Sequence, residues 1–131
     1  SDTTLNPGGV RIGTAEIYSE IEKLIEIKES IVIGQSWDND IRIVLFVVLN
    51  PKYELNGDLL KKIRLQIRKN ASPRHVPAKI IAVEDIPRTK NGKIVELAVK
   101  NIIEGNRIRN KEALANPQVL VQYKNLKELN Y

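Results

Sequence analysis

The run Ile43-Val44-Leu45-Phe46-Val47-Val48-Leu49 constrains this chain more than any other segment, because it is apolar at every position and rich in β-branched residues. A half-exposed strand alternates apolar and polar side chains, whereas one apolar on both faces is covered on both, so residues 42–49 read as a central strand. A second Ile- and Val-rich segment, residues 30–34, lies across the polar Asp38-Asn39-Asp40, and the two read as an antiparallel pair. Residues 79–83 supply a third strand. Helices fill the intervals. Ile17, Ile21 and Leu24 repeat at helical spacing behind Thr14, the expected N-cap, with Glu16 in the first turn. Asn56-Gly57-Asp58 opens a second helix whose stripe is Leu59, Leu60, Ile63 and Ile67, and Ser72-Pro73 ends it. Val95, Ala98, Val99 and Ile102 mark a third, with Gly105 as its C-terminal stop. Upstream, Asn6-Pro7-Gly8-Gly9 between Leu5 and Val10 predicts a tight hairpin. The expected fold is α+β: an N-terminal β-hairpin and a short, mostly antiparallel three-stranded sheet covered by helices. From Asn106 the pattern gives way to a polar tail that resumes at Asn116-Pro117 with apolar Val119, Leu120, Tyr123 and Leu126, read as a docked extension.

Composition removes several chemistries. The chain has 131 residues, no cysteine and a single histidine, His75. Disulfides, thiolate metal sites, a cysteine nucleophile and a His-rich metal cluster are therefore excluded as products of this chain alone. The absence of cysteine agrees with a cytoplasmic location, the start carries no secretory pattern, and no apolar run approaches the length of a membrane span. The chain also contains no methionine, even at position 1, so it reads as cut from something larger. His75 and Trp37 receive no role; a lone His beside Pro and a lone Trp after a strand are ordinary structural residues.

Charge narrows the partner. Twenty-one basic residues against 16 acidic give a formal +5, and Lys61, Lys62, Arg64, Arg68 and Lys69 cluster on the polar face of the second helix. Arg74, Arg88, Lys90 and Lys93 follow. A basic cluster admits nucleic acid or a phosphorylated small molecule, but no aromatic side chains interleave with it as a stacking platform requires.

The stretch Pro87-Arg88-Thr89-Lys90-Asn91-Gly92-Lys93 is the strongest candidate for chemistry. Asn-Gly readily adopts positive φ, so the backbone turns sharply and presents the following lysine outward, where a long ammonium reaches a phosphate or a developing oxyanion. An exposed lysine in an Asn-Gly turn is also a common surface feature, and the loop alone does not separate the two readings.

Two segments together resemble the C-terminal domain of the acyl-adenylate-forming (AMP-binding) enzyme family. Residues 1–17, Ser-Asp-Thr-Thr-Leu-Asn-Pro-Gly-Gly-Val-Arg-Ile-Gly-Thr-Ala-Glu-Ile, are similar to that family's hinge, its glycine-x-arginine turn and its acidic helix start. Residues 86–93, Ile-Pro-Arg-Thr-Lys-Asn-Gly-Lys, are similar to the loop bearing its catalytic lysine. Within the family the resemblance narrows to acid–CoA ligases that activate acetoacetate, on Gly9-Val10-Arg11, Ser72-Pro73-Arg74-His75-Val76-Pro77, residues 95–103 and the tail segment Asn116-Pro117-Gln118-Val119-Leu120 with Tyr123.

The resemblance implies an enzyme that joins a carboxylate to ATP, releases pyrophosphate, and lets the CoA thiol displace AMP. It implies that residues 1–105 form a mobile C-terminal domain, with residues 1–3 a hinge remnant and 106–131 an extension. Lys93 matches the lysine of the adenylation step, and Arg11 matches an arginine that contacts nucleotide phosphate. Gly8 and Gly9 match the turn that lines the path of the CoA arm, Arg68 a contact to the CoA nucleotide, and Asp2 the hinge. The implied partners are the chain's own N-terminal large domain, with ATP, CoA and acetoacetate as ligands and neither nucleic acid nor membrane. Magnesium is expected in the large domain, and the fragment alone is expected to be inactive. The alternatives left standing are another short-chain acyl-CoA synthetase of the family and a small basic nucleic-acid-binding module.

Overall fold

A computed structural model describes residues 4–131. The sheet is built around the all-apolar run. Strand β4 (Asp40–Leu49) lies between β3 (Ile27–Trp37) and β5 (Lys79–Ala82), and its side chains divide by parity. Ile43, Leu45 and Val47 face one cluster, Val44, Phe46 and Val48 face the other, and all six are buried. The first cluster is closed by α1 (Thr14–Ile21) and α2 (Gly57–Asn70) through Ile17, Ile21, Leu59, Ile63 and Ile67. The second is closed by Val99 of α3 (Glu96–Ile103) together with Ile86, Tyr123 and Leu129. Half of the second layer thus comes from the tail, whose short 3₁₀ segments dock on the sheet; the Tyr123 ring meets Phe46 edge-on at 5.0 Å.

Strands β3 and β4 pair antiparallel, with Trp37 opposite Asp40, so the connecting loop is only Asp38-Asn39. Both residues take positive φ, 51° and 58°, the conformation of a two-residue hairpin turn whose twist matches its strands. Gln35, Ser36 and Trp37 therefore extend β3 past the Ile- and Val-rich segment 30–34. Trp37 lies beneath the Arg42 guanidinium, 3.7 Å from the ring centroid. Strand β5 joins β4 in parallel rather than antiparallel, which makes the sheet mixed. The cause is topological: the chain leaves β4, returns through the 14-residue α2, and re-enters in the same direction.

The free edge of β3 is covered by side chains. The Val32 N–H donates to the Tyr18 hydroxyl at 2.8 Å, the Ser36 N–H to Glu104 Oε2 at 2.9 Å, and Lys100 Nζ to the Gly34 carbonyl at 2.7 Å. Unpaired strand edges invite association, and these three bonds blunt this one. Burial by itself pushes the Glu104 carboxyl up, but the bonds from Ser36 and Lys100 outweigh it and hold it below the usual carboxylate range. Lys62 holds Glu26 low in the same way. A carboxyl with a lowered folded-state value binds protons more readily when unfolded. It therefore stabilises the fold above the unfolded value, about 4.3 for Glu, and that stability is lost as pH falls through the lower folded value. Thermal unfolding followed from pH 7 to pH 3 is expected to show a falling midpoint below about pH 4.3, and a smaller fall in Glu104→Gln.

The expected N-cap of α1 is not where the sequence placed it. Gly13 occupies the cap position without a side-chain bond, and Thr14 is the first helical residue, its Oγ1 buried without a partner. Asn56 does cap α2, its side chain accepting the Leu59 N–H at 2.9 Å. The N-terminal hairpin pairs β1 (Thr4–Leu5) with β2 (Ile12–Gly13) around a 3₁₀ turn at Pro7–Gly9. It packs on the sheet because Gly34 lets it: a Cβ at Gly34 would stand 3.0 Å from Leu5 Cδ2 and 2.9 Å from Ile41 Cγ2.

Candidate active site

Lys93 closes a small hairpin that stands between the sheet and α3. Arg88 and Ile94 pair across its stem. Inside it the Thr89 N–H donates to the Lys93 carbonyl at 2.8 Å, the Lys93 N–H to Thr89 Oγ1 at 3.1 Å, and the Gly92 N–H to the Thr89 carbonyl at 2.9 Å. One threonine thus engages the backbone of Lys93 from both sides. Gly92 makes the reversal at φ +84°, a conformation that L side chains rarely adopt. The Lys93 side chain is exposed, and among the described residues no carboxylate forms an ion pair with it. Its charge is uncompensated, whereas the nearby Arg88 is spent on Glu29 of β3 at 2.8 Å. Beyond the loop, Glu96 opens α3 and accepts a 2.6 Å bond from the Tyr18 hydroxyl, which fixes the start of that helix against α1. Burial and the bond to Glu96 push the Tyr18 hydroxyl far up, so it stays a neutral donor.

The glycine turn is held at the other end of the sheet. Gly8 and Gly9 have φ +61° and +79°, and a Cβ at either would meet nothing within 4 Å, so this chain leaves open space beside both. The Gly8 N–H donates to both carboxylate oxygens of Asp40, at 3.1 and 3.0 Å. Asp40 also accepts the Ile41 N–H at 2.7 Å, so one side chain locks the turn onto the tip of the β3–β4 hairpin. Arg11 is exposed directly before β2, where its neighbour Ile12 is buried.

The two places are anchored at opposite ends of β3. Lys93's loop is anchored at Glu29, near the start of β3, while Gly8 is anchored at Asp40, just past its end. At roughly 3.3 Å per residue the anchors stand on the order of 25–30 Å apart. Gly8, Gly9 and Arg11 lie together in the N-terminal hairpin, whereas Lys93 sits on a loop anchored through Arg88 at the other end of β3. Arg68 lies elsewhere again, exposed in the last turn of α2 beside Lys69, where a cation also favours the helix C-terminus. Asp2 lies outside the described residues.

Sequence reasoning missed Asp40 and Gly34, whose partners are distant in the chain, and gave His75 no role. His75 is buried; its Nδ1 is 2.6 Å from Ser72 Oγ and its Nε2 3.4 Å from Glu16, joining the turn after α2 to α1. Among the described residues no three His, Asp or Glu side chains converge to hold a metal ion, and no helix is long and apolar enough to cross a membrane.

The model of the AMP-binding enzyme C-terminal domain matches residues 16–93. The chain is 60% identical to the acetoacetyl-coenzyme A synthetase of Rhizobium meliloti (strain 1021) over 129 residues, 98% of this chain and 20% of that protein. Among solved structures, the acetoacetyl-CoA synthetase from Streptomyces lividans superposes with a TM-score of 0.83 at 41% identity, covering 93% of this chain and 18% of that one. An acyl-CoA synthetase from Brucella canis superposes at 0.71 with 26% identity, covering 76% and 18%. The chain spans about a fifth of the length of the curated relatives it matches. With a family model matching residues 16–93 and relatives of this identity across nearly the whole chain, the chain belongs to the AMP-binding enzyme C-terminal domain family.

Proposed function

We propose that residues 1–105 are the mobile C-terminal domain of an ATP-dependent acetoacetate–CoA ligase, with 106–131 an extension fastened to it. The overall reaction is acetoacetate + ATP + CoA giving acetoacetyl-CoA, AMP and pyrophosphate. The observation that carries this reading is the 60% identity to an acetoacetyl-coenzyme A synthetase across 98% of the chain.

In the first half-reaction an acetoacetate oxygen attacks the α-phosphorus and pyrophosphate leaves. Lys93 places its ammonium beside the charge shared by the carboxylate and the α-phosphate, which is electrostatic positioning rather than proton transfer. Arg11 offers a planar fork to nucleotide phosphate. In the second, the CoA thiol attacks the acyl carbon and AMP leaves; Gly8 and Gly9 leave room for the thiol arm, and Arg68 meets the nucleotide end of CoA. The separation of the two anchors supports a two-pose cycle, because one small domain cannot present both ends of β3 to one reacting centre at once. Asp2 supplies the hinge. The large domain supplies the acetoacetate pocket and most ATP contacts, with magnesium, which neutralises phosphate charge when bound.

The activity is tested with the full-length protein and a panel of acetoacetate, acetate, propionate and butyrate in a CoA-thioester assay. Acetoacetate is expected to have the highest kcat/KM. Preference for another acid replaces acetoacetate ligase by a sibling acyl-CoA synthetase; no thioester at all, with salt-dependent polyanion binding that Lys93→Ala leaves unchanged, replaces it by the basic module. The glycine turn has its own test. Because a Cβ at Gly9 finds nothing within 4 Å apart from its chain neighbours, Gly9→Val is expected to cost about 1–2 kcal/mol of backbone strain and to obstruct the thiol path. Thioester formation from preformed adenylate is expected to fall at least about tenfold while pyrophosphate exchange persists.

A further inference from the structure

The backbone leaves β4 after Val83, whose N–H donates to the Val47 carbonyl, and from Glu84 to the Lys93 hairpin several of its polar groups are engaged by the tail. The Glu84 N–H donates to Gln122 Oε1 at 2.6 Å, and the Asp85 carbonyl accepts both Gln122 Nε2 at 3.1 Å and the Tyr123 hydroxyl at 2.8 Å. Asn116 does the most. Its Nδ2 donates to the Ile86 carbonyl at 2.8 Å and to Asp85 Oδ2 at 3.3 Å, while its Oδ1 accepts the Arg88 N–H at 2.9 Å. The neighbouring Ala115 N–H donates to the Arg88 carbonyl at 2.8 Å. The amide orientation is fixed by chemistry, since a carbonyl only accepts and an N–H only donates.

Asn116 therefore spans Pro87, which has no N–H, and grips the residues on both sides of it as a neighbouring peptide group would. Arg88 is the first stem residue of the Lys93 hairpin, and Thr89, which engages Lys93, bridges to Leu114 in the same tail segment. Residues 114–116 thus hold the base from which Lys93 projects. They lie beyond residues 16–93, the part of the chain that the family model describes.

We propose that Asn116 is a positioning residue for the adenylation step, setting the direction of the Lys93 hairpin from the extension; the inference rests on the reading of Lys93 given above. Placement within about an ångström decides whether a positioned charge acts, and such an error costs on the order of 100-fold. The loss falls on the half-reaction that uses Lys93 and spares the one that does not.

The test uses the full-length ligase with Asn116→Ala, Asn116→Asp, Lys93→Ala and the double variant Lys93→Ala/Asn116→Ala. Asn116→Asp keeps the acceptor for Arg88 but loses both donors and sets a carboxylate against Asp85. Both Asn116 variants are expected to lose tenfold or more of kcat for acetoacetate-dependent ATP–pyrophosphate exchange, with KM for ATP little changed. Acetoacetyl-CoA formation from preformed adenylate is expected to stay within twofold, and the double variant to be no slower in exchange than Lys93→Ala. Equal losses in both half-reactions, no loss in exchange, or failure of both Asn116 variants to fold would overturn the proposal in favour of a purely structural asparagine. If Lys93→Ala abolishes exchange while both Asn116 variants retain it, the proposal alone fails. If Lys93→Ala retains exchange, the lysine reading fails and takes the proposal with it.

Discussion

On the proposed function, Lys93→Ala in the full-length protein is expected to lower acetoacetate-dependent ATP–pyrophosphate exchange by about 100- to 1,000-fold, the cost of removing one preorganised donor from developing charge. Thioester formation from preformed acetoacetyl-adenylate is expected to be largely retained, because the proposed function assigns that step to the glycine turn, which is anchored at the other end of β3. Lys90, three residues earlier in the same loop, is the control. It too is exposed, so a general loss of positive charge from the loop affects Lys90→Ala as well as Lys93→Ala. The two differ in how the backbone is held: Lys93 is engaged by Thr89 through its N–H and its carbonyl, whereas Lys90 sits at the turn. A charge that acts by position needs the held site, so Lys90→Ala is expected to stay within a few-fold of wild type. Lys93→Arg separates position from charge. It keeps the cation but replaces a compact ammonium by a planar fork, and recovery of little activity is the expected result. Unchanged exchange in Lys93→Ala would remove this residue from the chemistry and favour the basic-module reading.

The central strand was legible because its signal is local: a seven-residue apolar run has one meaning in a small sheet, and its alternate residues do face the two halves of the core. The α2 stripe and its Asn56 cap were legible for the same reason, since spacing and capping act within a few residues. The direction of β5 was not. Its apolar residues fit either orientation, and the parallel pairing follows from the path of α2 rather than from residues 79–82. Thr14 misled because a helix start is set by backbone path, and Gly13, already extended in β2, occupies the cap position. At the candidate site, Gly8, Gly9 and Lys93 announced themselves through glycine chemistry, and each glycine involved does take positive φ. The residues that fasten those loops gave no local sign. Asp40 reaches Gly8 across 32 positions, and Asn116 reaches Arg88 across 28. A polar residue in a polar stretch shows nothing of its partner until the fold brings the two together.

Tyr123 joins the core and the loop, so its truncation is expected to have the largest effect on stability. The residue is almost fully buried, packs edge-on against Phe46, and donates its hydroxyl to the Asp85 carbonyl. Burial pushes that hydroxyl well above its usual range, so it stays protonated and a donor at neutral pH. Removing a buried aromatic ring costs about 3–5 kcal/mol in lost transfer energy and residual cavity. Tyr123→Ala is therefore expected to destabilise the fold by that amount, lowering the thermal midpoint by roughly 2–8 °C per kcal/mol for a chain of this size. Tyr123→Phe isolates the hydroxyl. The Asp85 carbonyl keeps its bond from Gln122 Nε2, so the acceptor is not orphaned, and the loss is expected near the net value of one hydrogen bond, about 1 kcal/mol. Denaturant unfolding of the three proteins reads both quantities. A Tyr123→Ala loss no larger than that of Tyr123→Phe would mean that the tail is not part of the core. A loss several times larger would mean that the extension is a folded layer of this domain, and that a chain ending before it leaves Val44, Phe46 and Val48 covered only in part, by Ile86 and α3, on the face where Lys93's loop begins.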